Sequence, residues 1–235
     1  KISELNGFLT FLCKELSNGK RKADLYLLKF FLEKEKISRS DFEKFLKEEN
    51  LGASNELLKS IENFLTYSFF VKRDQEKYGV SALAIKNNIY QLSPYFAQFL
   101  TKEYKDFILD IIQTGLYRSE KYPQNPLTIG EKYSRKDAVR LLNWDKDESS
   151  TMYGYRIKHG TCPIFVTYEK KDDISESTKY EDQFINQNTF SWLTRNGVAL
   201  NSRESQEIIN YEKSGLKIVL FIKKSDGEGS DFSYM

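Results

Sequence analysis

Residues 133–144 read Tyr133-Ser-Arg-Lys-Asp-Ala-Val-Arg-Leu-Leu-Asn-Trp144, and this stretch predicts a helix over residues 134–142. Ser134 is a favoured N-cap residue, and Asp137 stands three positions later, where its carboxylate can bond back to the cap. Short runs rich in β-branched and aromatic residues follow, at 152–157, 164–168, 190–193 and 216–222. A second helix is predicted over 203–211. Short strands with two helices predict a β-rich α+β domain, built as a bent sheet or pseudobarrel.

The chain before residue 120 is predicted to be helical, with two strands. Apolar residues recur at helical spacing in 21–34, in the helix predicted to begin at Ser40, and in the one that follows Gly52. Ser40 and Glu43 have the spacing of a capping box. Residues 67–71 and 89–92 resemble strands separated by the polar stretch 72–78, and one more helix is predicted over 102–114. This order predicts a winged-helix-like domain.

A proline-containing segment separates these two patterns. The sequence Tyr122-Pro-Gln-Asn-Pro126 favours an extended connection, because the residue before each proline avoids helical conformation. We therefore predict a helical, winged-helix-like domain over 1–120 and a β-rich domain over 125–235. The chain starts at Lys1 and stops just after a Gly/Ser/Asp-rich turn, so we expect a piece of a longer protein, with the second domain truncated at its C-terminus.

Composition limits the classes of function. With 40% hydrophobic residues in 235, the chain can bury a core, and its net charge of +2 excludes a polycation. A nucleic-acid surface would therefore be a local patch. Two cysteines far apart in sequence favour a reduced, cytoplasmic protein. No apolar run approaches the roughly 18 residues that a membrane span needs, so no membrane partner is expected.

Catalytic motifs are not evident in the sequence. It contains no phosphate-binding loop of the Gly-x-x-x-x-Gly-Lys-Ser/Thr type, and its single histidine, His159, cannot form a His pair. We therefore expect no enzyme activity, metal or other cofactor in this fragment. A weaker alternative is a magnesium-dependent nuclease, because Glu169-Lys-Lys171 has the spacing of a restriction-type motif. Glu181, Asp182 and Glu204 would supply further carboxylates.

Three motifs resemble one bacterial family. They are the stretch 133–144, the run Cys162-Pro-Ile-Phe-Val-Thr-Tyr168, and Lys179-Tyr-Glu-Asp-Gln-Phe-Ile-Asn-Gln-Asn-Thr-Phe-Ser-Trp192. Together they are similar to the C-terminal domain of unknown function that follows the motor of bacterial superfamily 2 (DEAD/DEAH-box) helicases, often with a phospholipase-D-like nuclease domain. The resemblance covers about residues 125–235 and implies an appended module. ATP and magnesium would then belong to the motor of the parent protein.

Two clusters are candidates for binding. Arg135, Lys136 and Arg140 lie in the helix that begins at Ser134, and two cations at positions i and i+4 suit a phosphate. An ordinary solvated helix face is the alternative, and Trp144 after it could fill a core or stack on a base. The second cluster contains Tyr180, Asp182, Asn186 and Trp192, whose rings and polar groups suit a planar, hydrogen-bonding ligand. Its alternative is a small aromatic core with a turn at Asn186 and Asn188.

Related sequences continue with a basic run, which this chain keeps in part. It retains Arg195 and Ser202 but has Gly197 and Val198 where further cations are expected. If the run contacts phosphates in the family, Arg195 is the residue that would do so here, and the contact would be weaker.

The favoured hypothesis is a non-catalytic, DNA-binding recognition module of a helicase–nuclease protein, in phage defence or restriction. That link rests on the domains that accompany the family. The alternative is a protein-interaction domain that docks on the helicase motor of the same parent chain. The near-zero net charge of the second half of the chain favours this alternative.

Overall fold

The structure is a computed structural model that describes residues 2–167 and 183–235, and the chain forms two units. The first unit contains residues 1–128 and 143–147, and the second contains 129–142 and 148–235. Both units combine helices and strands, so the predicted α+β class is confirmed. Trp144 is fully buried, which agrees with the core interpretation of this residue. Residues 143–147, which include Trp144, belong to the first unit, although the residues just before them, 129–142, belong to the second.

The first unit is mainly helical. A π-helical turn at Leu12–Leu16 follows its first helix. Among the described residues, no helix is both long enough and apolar enough to cross a membrane. The elements are α1 (Ile2–Phe11), α2 (Lys22–Lys34), β1 (Lys36–Ser38), α3 (Arg39–Glu48), α4 (Asn55–Leu65), α5 (Lys72–Tyr78), β2 (Leu83–Lys86), β3 (Ile89–Leu92), α6 (Pro94–Ala97) and α7 (Lys102–Arg118).

The three strands of the first unit form an antiparallel sheet in the order β1-β3-β2. Tyr90 lies at its centre, opposite Ile37 on one side and Ile85 on the other. Asn87 and Asn88 join β2 to β3 with φ angles of 50° and 59°, and a two-residue type I′ turn needs positive φ at both positions. Helices α2, α3 and α4 followed by this hairpin have a winged-helix-like order, but its first strand is Leu83–Lys86, not the predicted 67–71, and α5 is inserted.

Local details of the first unit differ from the prediction. The N-cap of α3 is Ser38, not Ser40, because the chain is still extended at Ser38 and its Oγ accepts a hydrogen bond from Asp41 N at 3.0 Å. Residues 67–71 form turns, with Tyr67 at a φ of 66°, whereas a strand was predicted. The polar stretch 72–78 is helix α5. Tyr67 and Phe70 pack against Phe11, whose ring centroid lies 4.7 Å from that of Tyr67 and 5.9 Å from that of Phe70. Tertiary packing therefore determines the backbone conformation of residues 67–71.

The second unit contains a four-stranded mixed sheet, β4-β9-β8-β5, and a separate hairpin of β6 and β7. Strands β5 and β8 are parallel, and the remaining pairs are antiparallel. In the described residues the sheets are open, so the pseudobarrel alternative is not observed. The elements are β4 (Lys132–Tyr133), α8 (Arg135–Leu141), β5 (Thr161–Thr167), β6 (Gln183–Asn186), β7 (Thr189–Ser191), α9 (Arg203–Ile209), α10 (Tyr211–Ser214), β8 (Lys217–Lys223) and β9 (Phe232–Tyr234).

The capping box of α8 is present as predicted. Ser134 Oγ accepts from Asp137 N at 3.1 Å, and Asp137 Oδ2 accepts from Ser134 N at 3.3 Å. Helix α9 and strands β5, β7 and β8 also fall within the predicted runs, to within a few residues. Residues 152–157 were predicted as a strand and are not one; only Tyr155 forms an isolated bridge, with Ile164. This segment covers part of the β5 edge instead, where Phe165 N donates to Gly154 O.

The four-stranded sheet has two packed faces. On one face, the rings of Phe165 and Phe221 stack at 4.8 Å, and Phe232 lies 5.2 Å from Phe165. On the opposite face, buried Cys162, Ile164 and Val166 pack with Tyr155 and Leu216, against partly buried residues that include Trp192 and Ile208. The alternation of side chains along β5 produces this division. The second face positions the candidate site, because α9 and the segment after β7 cover it.

Candidate nucleic-acid interface

Helix α8 carries three of the predicted binding residues, and the structure uses two of them internally. The Arg135 guanidinium carbon lies 4.9 Å from the ring centroid of Phe232 and 5.4 Å from that of Phe165. Arg140 is only 2% exposed and lies 3.8 Å from Asp137 Oδ1. Lys136 is half-buried. Within the described helix there is therefore no exposed face that offers Lys136 and Arg140 together to a phosphate.

The physical reason is that α8 is enclosed. Residues 137–141 are all buried, so the i,i+4 spacing correctly predicts neighbours on the helix but not their exposure. A cation over an aromatic ring gains about 0.5–2 kcal/mol, which helps to hold Arg135 against the sheet. Arg135 and Arg140 of α8 therefore make contacts within the second unit instead of forming a binding surface.

Two other predicted residues, Trp192 and Arg195, do come together, around Tyr155. The ring centroids of Trp192 and Tyr155 lie 4.8 Å apart in an edge-on arrangement. The Arg195 guanidinium carbon lies 4.8 Å from the Tyr155 ring centroid. Trp192 is half-buried against the sheet, so it supports Tyr155 from the core side. This stack fixes the position of the Arg195 guanidinium.

Arg195 forms an ion pair with Glu204 of α9. Its Nη2 lies 2.8 Å from both carboxylate oxygens, and the side chains are 41% and 33% exposed. Burial opposes ionisation of Glu204, but Tyr155 and Arg195 outweigh it, so the pKa of Glu204 lies below its ordinary value. Burial, with a contribution from Glu204, raises the pKa of Tyr155 to about 12. At neutral pH the group therefore contains a carboxylate, a guanidinium and a neutral phenol.

An open pocket of about 560 Å³ lies beside this pair, within the second unit. Ligand pockets in proteins commonly range from about 300 to 1,000 Å³, so the pocket can hold part of a ligand. Four basic side chains line it: Arg156, Lys158, Arg195 and Arg203. Two carboxylates, Glu204 and Glu207, line it as well. Such a cation-rich, partly acidic surface can bind an anion that also carries hydrogen-bond donors.

A tight turn forms one wall of the pocket. Lys158 and Thr161 exchange two backbone hydrogen bonds of 2.9 Å across the turn. His159 and Gly160 have φ angles of 50° and 65°, the two positive values that a type I′ turn requires. Glycine adopts them readily, and histidine is among the few other residues enriched there. The turn places Lys158 and His159 in the pocket wall.

Glu148 organises two of the four cations. It forms ion pairs with Arg156, at 2.7 Å, and with Lys158. Lys158 foremost, together with Arg156, lowers the pKa of Glu148 against the opposing effect of burial. Arg156 also donates to Thr151 O at 2.8 Å, so its position is fixed. Arg203 is exposed, and no ion pair is recorded for it in residues 2–167 and 183–235. It is the cation most available to a ligand.

Asn186, which belongs to the second predicted cluster, does not line this pocket. Asn186 is exposed at the end of β6, where its Oδ1 accepts a hydrogen bond from Asn188 N at 2.9 Å. This contact forms a turn at Asn186 and Asn188, which was the predicted alternative to a binding role for Asn186. Tyr180 and Asp182 lie outside the described residues, so their predicted roles stay predictions.

Two observations on the described residues bear on a metal-dependent or nucleophilic site. Within the described ranges, no three His, Cys, Asp or Glu side chains form a group that could hold a metal ion. Glu204 is engaged by Arg195, while Glu169, Glu181 and Asp182 fall outside those ranges. Cys162 is buried, and burial raises its pKa to about 12, with contributions from Glu204 and Glu207. Its thiol is therefore protonated at neutral pH, and Cys162 packs as a core residue.

Sequence reasoning missed Arg156, Lys158 and Arg203. Ser202 is the N-cap of α9 and could have indicated that Arg203 stands at the exposed start of that helix. The Lys158-His159-Gly160 turn has a glycine at the position that favours a hairpin. Neither pattern shows that the two segments meet, because the parallel pairing of β5 and β8 brings them together.

Helix α4 is the third helix of the winged-helix-like order, the one that often enters a DNA groove, but its charge Glu62 is used internally. Glu62 is 8% exposed; it accepts hydrogen bonds from Arg39 Nε at 3.1 Å and Tyr90 Oη at 2.8 Å. Burial and the neighbouring Glu62 raise the pKa of Tyr90. The outward charges of α4 are Glu56 and Lys59. This helix presents no basic face within the described structure.

Family comparisons assign both halves of the chain to domains without a known function. Residues 127–235 match the model of a domain of unknown function (DUF3427). Residues 2–124 match that of another domain of unknown function (DUF8090). No curated protein matches the chain. Because the second of these matches covers more than half of the 235 residues, the chain belongs to the DUF8090 family, and it carries a DUF3427-like domain after it.

Proposed function

We propose that the second unit is a non-catalytic nucleic-acid-binding module whose pocket contacts phosphate groups. The single observation that carries this proposal is the 560 Å³ pocket with four cationic side chains, among them the exposed Arg203. Arginine and lysine supply most phosphate contacts in nucleic-acid complexes, and such contacts position the protein on the strand. Lys158 and Arg203 are the residues that we expect to contribute most.

The small net charge of the chain does not oppose this proposal. Four cations lie around one pocket, and Glu148 and Glu204 form ion pairs with three of them, Arg156, Lys158 and Arg195. A local excess of positive charge in a concave site attracts a polyanion, even when the whole chain is nearly neutral. The rigid Arg195–Tyr155–Trp192 stack supplies a preorganised cation, which lowers the entropic cost of binding.

The broader context of the proposal comes from the motif resemblance. The module would serve as the DNA-recognition part of a bacterial superfamily 2 helicase, sometimes with a phospholipase-D-like nuclease, in phage defence or restriction. It would act in the cytoplasm, and the motor domain elsewhere in the parent chain would bind ATP and magnesium. Arg135, Arg140 and Asn186 are excluded from the contact set that we propose, because their side chains serve internal contacts.

The test is fluorescence anisotropy with short labelled single strands and duplexes across a salt series. Wild-type protein is expected to bind with an affinity that falls steeply with salt. In a Lys158→Ala/Arg203→Ala variant, the log–log slope should decrease in magnitude by about 0.7–0.9 for each phosphate that the variant no longer neutralises. Lys132→Ala is the matched control, because Lys132 is exposed on β4, at the sheet edge opposite β5.

Two results would contradict the proposal. The first is the absence of any binding at low salt. The second is an equal loss of affinity in the control variant and the pocket variant. Addition of magnesium to the same samples tests the nuclease alternative, in which the strands would be cleaved.

A second function is favoured for the first unit, as a protein-interaction domain that docks on the helicase motor. The specific observation is that α4 lacks a basic face, while α7 exposes Phe107 and Tyr117 at 53% and 72%. Exposed aromatic residues are enriched in protein interfaces. Titration calorimetry of wild-type protein and a Phe107→Ala/Tyr117→Ala variant against the motor domain tests this function. Equal affinities of the two proteins would contradict it.

A further inference from the structure

Helix α9 presents a cation and a carboxylate side by side in the pocket wall. Arg203 and Glu207 are four positions apart, so their side chains lie on the same face of the helix. Both line the pocket. Although their spacing suits an ion pair, none is recorded for either residue across residues 2–167 and 183–235. The pocket therefore offers a positive and a negative group close together.

The two carboxylates of the pocket, those of Glu204 and Glu207, differ in whether they form an ion pair. Glu204 is held by Arg195 at 2.8 Å and sits beside Tyr155. Glu207 is half-buried, and no hydrogen bond from another described side chain to it is recorded. A carboxylate in this position repels a phosphate unless the ligand brings a donor to it. A bare anion is thus a poor match for the whole pocket.

We propose that the pocket selects nucleotides that carry an exocyclic amino group. Arg203 and Lys158 contact the phosphate, and Glu207 accepts a hydrogen bond from the base. A carboxylate is the usual protein acceptor for the cytosine N4 amino group, which is reachable in single strands and in the major groove of a duplex. Uracil presents a carbonyl oxygen at the same position and is repelled. This inference rests on the proposed function and names the ligand class of the same site.

The experiment compares single-stranded homopolymers of deoxycytidine and deoxyuridine of equal length. The two strands carry the same phosphates, so the ratio of their affinities isolates the base edge. Wild-type protein should bind the deoxycytidine strand about tenfold more tightly, as expected for one specific contact to a base edge. Glu207→Gln should remove this preference, because an amide can donate to uracil as well as accept from cytosine.

Glu204→Gln is the matched control. It removes a carboxylate from the same pocket but not the one that faces the ligand, so the preference for deoxycytidine should persist. The Lys158→Ala/Arg203→Ala variant should weaken binding of both strands by the same factor. The preference for deoxycytidine is a ratio of two affinities measured on one protein, so a modest loss of stability in a variant does not affect it.

The outcomes separate the two proposals. Equal affinity for both strands, with binding that the double variant still weakens, would overturn the base preference and leave phosphate binding intact. Persistence of the preference in Glu207→Gln would also overturn it. If neither strand binds at low salt, both proposals are contradicted.

Discussion

Two arginine–carboxylate pairs of equal length show how differently the two units use charge. In the first unit, Arg21 lies 2.8 Å from Asp24, with the side chains 6% and 0% exposed. In the second unit, Arg195 lies 2.8 Å from Glu204, with 41% and 33% exposed. Arg21 also donates a buried hydrogen bond to Ser60 Oγ, so this pair belongs to the core of the first unit. The Arg195 pair lines an open pocket, so distance alone does not reveal the role of an ion pair.

Removal of the buried arginine should have the largest effect. Arg21→Ala leaves the Asp24 charge buried without its partner, and breaking a buried pair in this way costs about 3–5 kcal/mol. We expect the free energy of unfolding to fall by that amount in urea titrations. Arg195→Ala, the matched variant, should cost less than about 1 kcal/mol because water screens an exposed pair. Equal losses in the two variants would contradict the comparison.

Loss of a helix cap should have an intermediate effect that also differs between the units. Ser134→Ala removes a reciprocal capping box, and we expect a loss of about 1–2 kcal/mol of stability. Ser54→Ala, at the start of α4, removes a single cap bond, to Leu57 N, and should cost about 0.5–1 kcal/mol. Urea titrations of both variants measure the difference. A larger loss for Ser54→Ala would show that the reciprocal bond adds nothing.

Removal of the pocket carboxylate should improve binding if the proposed function is right. Glu204→Gln removes a negative charge near the phosphate position and releases Arg195 from its partner. We expect affinity for nucleic acid to rise about fivefold, or roughly 1 kcal/mol. The salt slope should steepen by up to about 0.9, because Arg195 becomes able to neutralise a further phosphate. Weaker binding of this variant would indicate that Glu204 holds Arg195 in its binding position.

The smallest expected effect is the pH dependence of the Glu148 contacts. Its folded-state pKa is lowered by Lys158 and Arg156, so these contacts stabilise the second unit above the ordinary value of 4.5. The stabilisation is lost as pH falls below 4.5 through the folded-state pKa. Glu148→Gln should therefore be slightly less stable than wild type at about pH 7, and the difference should disappear in acid. Urea midpoints measured at both pH values test this expectation; a constant difference would contradict it.

Local sequence patterns predicted local structure well. The capping box of α8, the amphipathic helices and the strand β3 all follow from residues a few positions apart. The segments that failed depend on distant contacts. Tyr67 adopts a positive φ beside the Phe11 ring, and α7 continues through Gly115 although a helix end was predicted there. A Cβ at Gly115 would lie 3.0 Å from Leu25, so this glycine permits close packing of α7 on α2.

The candidate site was harder to predict for the same reason. Arg195, which lines the pocket, and Trp192, which packs against Tyr155, were singled out because they follow recognisable motifs. Arg140 was assigned to a surface because spacing along a helix contains no information about what covers it. The turn at Lys158 and the start of α9 at Arg203 become neighbours only through the sheet. A single sequence does not record such a contact.

The position of β9 has a consequence for the order in which the units can fold during synthesis. Its residues, 232–234, come last among the described strands, yet they lie between β4 and β8. The sheet of the first unit has all its strands once residue 92 has been made, whereas β4 must wait for residues made about a hundred positions later. A ribosome-bound chain therefore carries β4 and one edge of β8 unpaired until β9 emerges, and unpaired strand edges are prone to association.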